Sequence, residues 1–403
     1  MNTPRNAVVA GASAAGLAAA DGLREGGWEG TITVLGEEQH QPYDRTMLSK
    51  GLMAAHPGPP AALRTPEHLA QRDIDVRLGQ AARGLDIDRR LVVTSEGEAL
   101  PYDILVLATG SRARIMTTTD GRPLPVLRTV DDLARLRDTV SGGQPVTLVG
   151  AGLIGLEIAA ALHARGHALT VIGDAALPLA DSFGDGVARW LWDLHTSRGV
   201  VATLGRKVLA VSGRPGAYRV HLDDGTRHDT DIVLAGIGAV PCDEWLIGSG
   251  VRLRDGVLCD AAGRTNVPGV WAAGDLARTR TGTDDRATAF GHWTNAAEQG
   301  RNVGLNAARG EHTPYHGLRS FWTVQYGRTI RSLGTRRGGD RDETVEGDLA
   351  SGEFVVLHSA PRGETLHAVT ACGRDRSLRG YRKLLLAGAS LSQARELAHR
   401  QRG

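Results

Sequence analysis

The stretch at residues 145–157, PVTLVGAGLIGLE, limits the fold of this chain more than any other. A short apolar strand runs into glycines at 150, 152 and 155, spaced GxGxxG, and an alanine-rich helix follows. Strand, tight turn and helix in that order are what a dinucleotide-binding βαβ unit requires. Gly150 permits the turn, Gly152 lets the backbone approach a pyrophosphate, and Leu153 and Ile154 start the helix. Gly155 lets that helix pack close to the strand, with its N-terminal amides facing the anion.

A second, incomplete copy stands near the N-terminus. Residues 7–10 read as a strand, and GASAAG at 11–16 keeps Gly11 and Gly16 but places Ser13 at the middle position. A serine is small enough for that place and can donate a hydrogen bond to phosphate, and Ala14 sits beside it. A helix over 17–25 and a strand over 31–35 follow, ending on Gly36 and Glu37. A carboxylate about 20 residues after the turn can hold ribose hydroxyls. Two dinucleotide sites on one chain imply electrons passing from one cofactor to another.

Each unit closes with the same device. The strand at 104–107 runs into Ala108-Thr109-Gly110, and the strand at 231–235 runs into Gly236-Ile237-Gly238. This is a duplication of architecture and not a short-period repeat. The second strand of the central unit, 169–172, ends on Gly173 where an acid is usual, and Asp174 follows. Asp174 can stand in for that carboxylate, and no arginine lies just beyond to take a 2′-phosphate. The site therefore favours NADH, with NADPH as the alternative. A connector at 111–144 carries a charged helix over 130–140. Downstream, a strand delivers Gly274-Asp275 to the start of a helix, where a carboxylate can accept hydrogen bonds from a sugar-alcohol chain. Residues 291–300 read as a helix N-terminus, and 390–401 as a closing helix. FWTVQY at 321–326 concentrates aromatic residues in a chain with only 4% of them. Core packing and the lining of a flavin or docking face are both open readings there.

At 403 residues the chain has room for two or three domains, and its net charge of +2 argues against a general nucleic-acid binder. From residue 301 onward 17 Lys/Arg face 10 Asp/Glu, which leaves −5 on the first 300 residues. Such a basic C-terminal stretch is either a solvated surface or a docking face for an acidic partner. Cys242, Cys259 and Cys372 form no CxxC and no metal spacing, so neither a sequence-local redox dithiol nor a metal site is expected. No run approaches the roughly 20 apolar residues needed to cross a bilayer, and a soluble cytoplasmic protein is expected.

Taken in order, GASAAG, PYDRTMLSKG, YDILVLATGSR, LRTVDDLARL, VGAGLIGLE, GIGAVP, TNVPGVWAAGD and HWTNAAEQG resemble the FAD-dependent ferredoxin reductases that serve cytochrome P450s and Rieske oxygenases. These are a branch of the glutathione-reductase-like flavoproteins. The resemblance implies an α/β fold with two Rossmann-like dinucleotide-binding domains and an α+β C-terminal interface domain. It places an FAD domain at 1–112 and 243–318, an NAD(P)H domain at 113–242 and the interface domain at 319–403. It also implies that Gly11, Ser13, Ala14 and Gly16 approach the FAD pyrophosphate and Glu37 its ribose. Arg45, Lys50, Ala82, Thr109, Gly110, Arg128, Gly274, Asp275 and Trp293 fall at further FAD positions. Gly150, Gly152, Leu153, Ile154, Gly155, Asp174, Gly236, Ile237 and Gly238 fall at NAD(H) positions. In that family a lysine and a glutamate pair near flavin N5, which maps onto Lys50 and Glu157.

The implied reaction is hydride transfer from NADH to FAD, then single electrons to a [2Fe–2S] ferredoxin, itself acidic and docking on the arginine-rich C-terminal third. Alternatives are a reductase or oxidase acting on rubredoxin, a quinone or oxygen, and a flavin-bearing signalling protein. A disulfide reductase fits poorly, because no CxxC follows the first nucleotide unit. Four departures from the family pattern stand out: Ser13 for glycine, Gly173 for an acid, Cys242 for asparagine, and Thr323-Val324-Gln325 for Ser-Asp-Gln. The last bears on partner identity more than on flavin binding.

Overall fold

Short runs of valine, leucine, isoleucine and alanine, buried on both faces, form the inner parallel strands, as helix-covered sheets require. In chain order the principal elements begin with β1 (Asn6–Ala10), α1 (Ala14–Glu25), β2 (Thr31–Gly36), β3 (Asp75–Leu78) and β4 (Ile104–Leu107). There follow α2 (Val130–Thr139), β5 (Val146–Val149), α3 (Leu153–Ala164), β6 (Leu169–Gly173), α4 (Asp185–Thr196), β7 (Val201–Leu204) and β8 (Ile232–Ala235). After β9 (Val270–Ala272) and α5 (Trp293–Arg309) come five strands: β10 (Ser320–Gln325), β11 (Arg328–Gly334), β12 (Arg341–Asp348), β13 (Glu353–Ser359) and β14 (Leu366–Cys372). The helices α6 (Asp375–Leu386) and α7 (Leu391–Arg402) end the chain. The computed structural model describes residues 5–52, 60–140, 142–280, 287–289, 291–362 and 364–402.

These elements fall into two units. The first comprises residues 1–44, 60–112 and 239–319; the second comprises 45–59, 113–238 and 320–403. In the first, a parallel sheet runs in the order β9-β4-β1-β2-β3. Val8 pairs with Thr33 on one side and Leu105 on the other. Its core joins Val9, Leu17, Leu23, Ile32, Val34 and Val106. The alanine-rich α1 packs against α5 at very close range: a Cβ on Gly300 would lie 2.1 Å from the Ala15 carbonyl oxygen, and one on Gly304 2.1 Å from that of Ala19. The helix begins at Ala14, earlier than its apolar pattern indicates, because Ser13 adopts the extended geometry of an N-cap.

In the second unit, a parallel sheet runs β7-β6-β5-β8 and an antiparallel sheet runs β10-β11-β14-β13-β12. Helix α2 is fixed by a capping box between Thr129 and Asp132. Along β10 the buried residues are Phe321, Thr323 and Gln325. Phe321 packs on Phe183 with ring centroids 5.4 Å apart, while the other two are polar. The aromatic stretch is therefore only partly an apolar core element.

Candidate functional site

The N-terminal fingerprint forms the cradle its spacing requires. Gly11 has φ +120°, and a Cβ there would lie 2.1 Å from the Ala108 carbonyl oxygen; a Cβ on Gly16 would lie 1.8 Å from that of Gly11. Ser13 caps α1 without a side-chain hydrogen bond, so its hydroxyl is not spent on the helix, and no acid occupies the first turn. The amide dipoles at that end are thus left to an anion. Glu37, just past β2, is largely exposed and takes a 2.9 Å ion pair from Arg83. Ala82 is buried at the start of the strand Ala82–Asp86.

At the end of β4, Thr109 donates to the Cys242 carbonyl oxygen at 2.7 Å, and Gly110 turns with φ +70°. After β9, a Cβ on Gly274 would lie 2.8 Å from that of Ala15, which brings the turn against α1. Asp275, next along, accepts from the Ser111 hydroxyl at 2.9 Å. His292 caps α5, and burial beside the Arg319 charge pushes its pKa down to about 4, keeping it neutral. Trp293 follows with its indole Nε1 buried and lacking a protein partner. A glycine cradle, an uncommitted Ser13 hydroxyl and an orphaned indole donor fit a bound dinucleotide.

The second unit repeats the cradle. Gly150 has φ +111°, with a would-be Cβ 2.2 Å from the Gly236 carbonyl oxygen, and a Cβ on Gly155 would lie 2.6 Å from that of Gly150. Gly150 donates to the Ile172 oxygen at 2.8 Å as Gly11 does to that of Leu35 at 2.9 Å. Gly152 caps α3, and a side chain there would meet no protein atom within 4 Å. Leu153 is half-buried, whereas Ile154 is 51% exposed, unusual for an isoleucine in a fingerprint turn. Ile237 and Gly238 follow β8, with Gly238 at φ +95°.

The glycine at 173 has a steric cause. A Cβ there would lie 2.8 Å from that of Ala151, just as one on Gly36 would lie 2.9 Å from that of Ala12. Each fingerprint carries an alanine after its first glycine, and that methyl group occupies the space a side chain would need. The next residue in both units is an acid, Glu37 and Asp174. Asp174 is exposed.

Glu157 lies on α3 and is half-buried. Its Oε2 accepts from the Ser49 hydroxyl at 2.5 Å; its Oε1 accepts from the Thr323 hydroxyl and the Val324 amide, each at 2.8 Å. Lys50 does not pair with Glu157: its Nζ donates to the Thr46 carbonyl oxygen at 2.7 Å. The expectation of a direct pair is corrected by helical geometry. Ser49 and Lys50 are consecutive in the short helix Leu48–Gly51, so their side chains leave about 100° apart and only one can face α3. Arg45 and Arg128 do come together, with Arg45 donating to the Arg128 carbonyl oxygen at 2.8 Å.

Ser49, Thr323 and the Val324 amide thus surround Glu157; the sequence marks Thr323-Val324-Gln325 as a departure from the family pattern, but not that this segment meets the carboxylate. Ser49 stands inside PYDRTMLSKG, but nothing about a serine there marks its direction. Val324 acts through its backbone, which no sequence pattern reports. All three cysteines are free thiols, and burial pushes Cys242 and Cys372 upward and Cys259 to about 12, leaving none poised as a thiolate. Among the described residues, no group of His, Cys, Asp and Glu is arranged to hold a metal, and no helix is long and apolar enough to cross a membrane.

Comparison with known proteins agrees with this geometry. Residues 5–300 match the pyridine nucleotide-disulphide oxidoreductase family, and residues 320–401 match a reductase C-terminal domain. The chain is 30% identical to the 3-phenylpropionate/cinnamic acid dioxygenase ferredoxin–NAD(+) reductase component of Photorhabdus laumondii, over 97% of this chain and 98% of that one. Among solved structures it resembles the putidaredoxin reductase of the covalent putidaredoxin reductase–putidaredoxin complex, with TM-score 0.87 and 30% identity over 96% of this chain and 94% of that one. The ferredoxin reductase for the CYP199A2 system from Rhodopseudomonas palustris gives TM-score 0.89 at 27% identity, covering 96% and 95%. Two fingerprint cradles, a C-terminal antiparallel sheet and these matches across nearly the whole length make the chain a member of the pyridine nucleotide-disulphide oxidoreductase family, in the branch that carries a reductase C-terminal domain.

Proposed function

We propose that this chain is an NADH-dependent, FAD-containing ferredoxin reductase that supplies single electrons to a [2Fe–2S] ferredoxin serving a cytochrome P450 or Rieske oxygenase. The observation that carries it is two dinucleotide cradles on a chain whose three cysteines are all free. Two nucleotides indicate internal electron transfer, and the absence of a dithiol among the described residues removes the disulfide route from which the family takes its name. FAD, when bound, supplies the conversion of a two-electron donor into a one-electron source. The protein binds and orients.

Residues 1–112 with 243–318 form the FAD-binding domain in this reading, 113–242 the NAD(P)H-binding domain and 319–403 the interface domain. Gly11, Ser13, Ala14 and Gly16 hold the FAD pyrophosphate, Glu37 the ribose, and Asp275 the sugar-alcohol chain. Arg45, Lys50, Ala82, Thr109, Gly110, Arg128, Gly274 and Trp293 complete that site. Gly150, Gly152, Leu153, Ile154, Gly155, Gly236, Ile237 and Gly238 receive the nicotinamide dinucleotide, and Asp174 selects NADH by the repulsion a carboxylate offers a 2′-phosphate. Lys50 and Glu157 act nearest the reacting atoms, Glu157 by placing the nicotinamide.

An acidic ferredoxin would meet a basic surface on the C-terminal third. On α6 the exposed Arg376, Arg379 and Lys383 recur at helical spacing opposite the buried Leu378 and Tyr381, which supports a docking face there. The three unpaired thiols support a reducing, cytoplasmic setting.

Anaerobic stopped-flow mixing tests the reading. NADH is expected to bleach the bound flavin much faster than NADPH, and added [2Fe–2S] ferredoxin to restore the colour rapidly, less so as salt is raised. Rapid bleaching with no response to any ferredoxin would move the function to another acceptor. Asp275→Ala is expected to shed FAD on dialysis; full retention of flavin by that variant would remove Asp275 from the site.

A further inference from the structure

Behind Glu157, four side chains form one unbroken chain of hydrogen bonds, and every direction in it is dictated from one end. A carboxylate only accepts, so the Thr323 hydroxyl spends its single proton on Glu157. Thr323 then has only lone pairs to offer, and Gln325 must present its NH2 group, at 3.1 Å. The Gln325 amide oxygen is thereby turned to His195, whose Nε2 must carry a proton to donate to it at 2.7 Å. The His195 Nδ1 is left bare and accepts from the Tyr326 hydroxyl at 3.0 Å.

Thr323, Gln325 and His195 are fully buried. They come from β10 and α4, far apart in sequence, and no apolar core needs them. Burial, with the nearby Arg198 guanidinium, pushes the His195 pKa down to about 4, so the ring stays neutral in the form the chain of bonds demands. The groups facing His195 are Arg198 and Trp192 from the α4 region, His163 from α3, and Gln325 and Tyr326 from the end of β10. Tyr326 is clamped in turn, with the Arg198 guanidinium 4.5 Å over its ring and His163 edge-on at 5.8 Å. Burial pushes its pKa up to about 12, so it keeps its proton.

We propose that Thr323, Gln325, His195 and Tyr326 are positioning residues, a relay that holds the Glu157 carboxylate in one orientation for the nicotinamide. This rests on the assignment of Glu157 to that site above. The order of protons along the relay is set by the negative charge at its head, so a cut beside Glu157 is felt at His195.

Thr323→Val makes that cut with little change of shape. Two readouts follow. In the ¹⁵N spectrum of histidine-labelled protein, with or without flavin, His195 is expected as a single neutral Nε2–H tautomer from pH 5 to 9. Thr323→Val should turn it into a mixture of tautomers. In stopped-flow reduction by NADH, the same variant should lower the limiting rate about tenfold while the NADH dissociation constant moves less than twofold, and Thr323→Ser should restore both signals. Gln325→Met cuts the relay one bond further on and replaces Thr323→Val should that variant not fold. Unchanged tautomer and rate in a folded cut variant, with Glu157→Gln slow, would overturn the relay and leave the role of Glu157 standing. Reduction of Glu157→Gln at the normal rate would overturn both.

Discussion

Gly11→Ala is expected to purify folded but without FAD. At φ +120° the backbone lies where side chains are strained, and the new methyl carbon would sit 2.1 Å from the Ala108 carbonyl oxygen. Neither side can yield easily, because β1 and β4 are paired in register from Ala7 with Ile104 to Ala10 with Leu107. The conformational strain alone is about 1–3 kcal/mol, and the clash adds to it. Relieving the clash moves the turn away from the pyrophosphate, and a loss of about 3 kcal/mol of binding, at about 1.4 kcal/mol for each factor of ten, would lower flavin affinity about 100-fold. Gly27→Ala is the control: Gly27 has φ +89°, but a methyl group there would meet nothing within 4 Å, so the same kind of strain arises without a clash in the cradle. The flavin absorbance after dialysis, compared with circular dichroism of the same samples, makes the measurement. Full flavin retention in Gly11→Ala would refute the assignment of this cradle to FAD.

Glu157→Ala is expected to slow reduction of the flavin by NADH about 100-fold, with the NADH dissociation constant changed by less than about threefold. The carboxylate accepts from the Ser49 hydroxyl, the Thr323 hydroxyl and the Val324 amide, and α3 is thereby tied to two other segments of the second unit. Hydrogen bonds to a charged group contribute roughly 1.5–3 kcal/mol each, so a carboxylate anchored three times is held in a narrow range of positions. Orientation of this kind acts on the reacting geometry more than on binding, which is why the effect belongs in the limiting rate. Glu157→Asp should fall between, since a carboxylate shorter by one methylene cannot reach all three donors. Limiting rates for Glu157→Ala within twofold of the natural protein would remove this residue from the reaction.

Both nucleotide units are legible in the chain as linear text. Their determinants lie within a dozen residues of one another, and each is a local steric requirement: a small residue where a Cβ would strike backbone, a helix start whose amides are free. The strands of each unit, the turns after β4 and β8 and the charged connector helix all follow from apolar runs and caps of the same local kind. The position of the acid is also readable once the two units are compared. Ala12 and Ala151 exclude a side chain from the last residue of β2 and β6, and Glu37 and Asp174 come next in both.

Less legible is what surrounds Glu157. Motif reading joins Lys50 to Glu157, but direction on a one-turn helix gives Ser49 to the carboxylate and Lys50 to its own backbone. FWTVQY reads as an aromatic stretch, yet the buried polar pair Thr323 and Gln325 carries the consequence, tied to a histidine 130 residues away. His195 carries no motif at all. It sits on an amphipathic helix face beside Val187 and Leu191, where any sequence reading takes it for a core residue.

From its sequence alone, then, this chain is an α/β protein with two dinucleotide cradles, no local dithiol and a basic C-terminal third, because those properties depend on residue size, spacing and charge over short distances. The tertiary structure decided which hydroxyl reaches Glu157, which way each proton points along Thr323, Gln325, His195 and Tyr326, and that burial holds the three free thiols protonated. Those are matters of direction and burial between segments distant in the chain, and a hydrogen bond has no direction until both of its partners are placed.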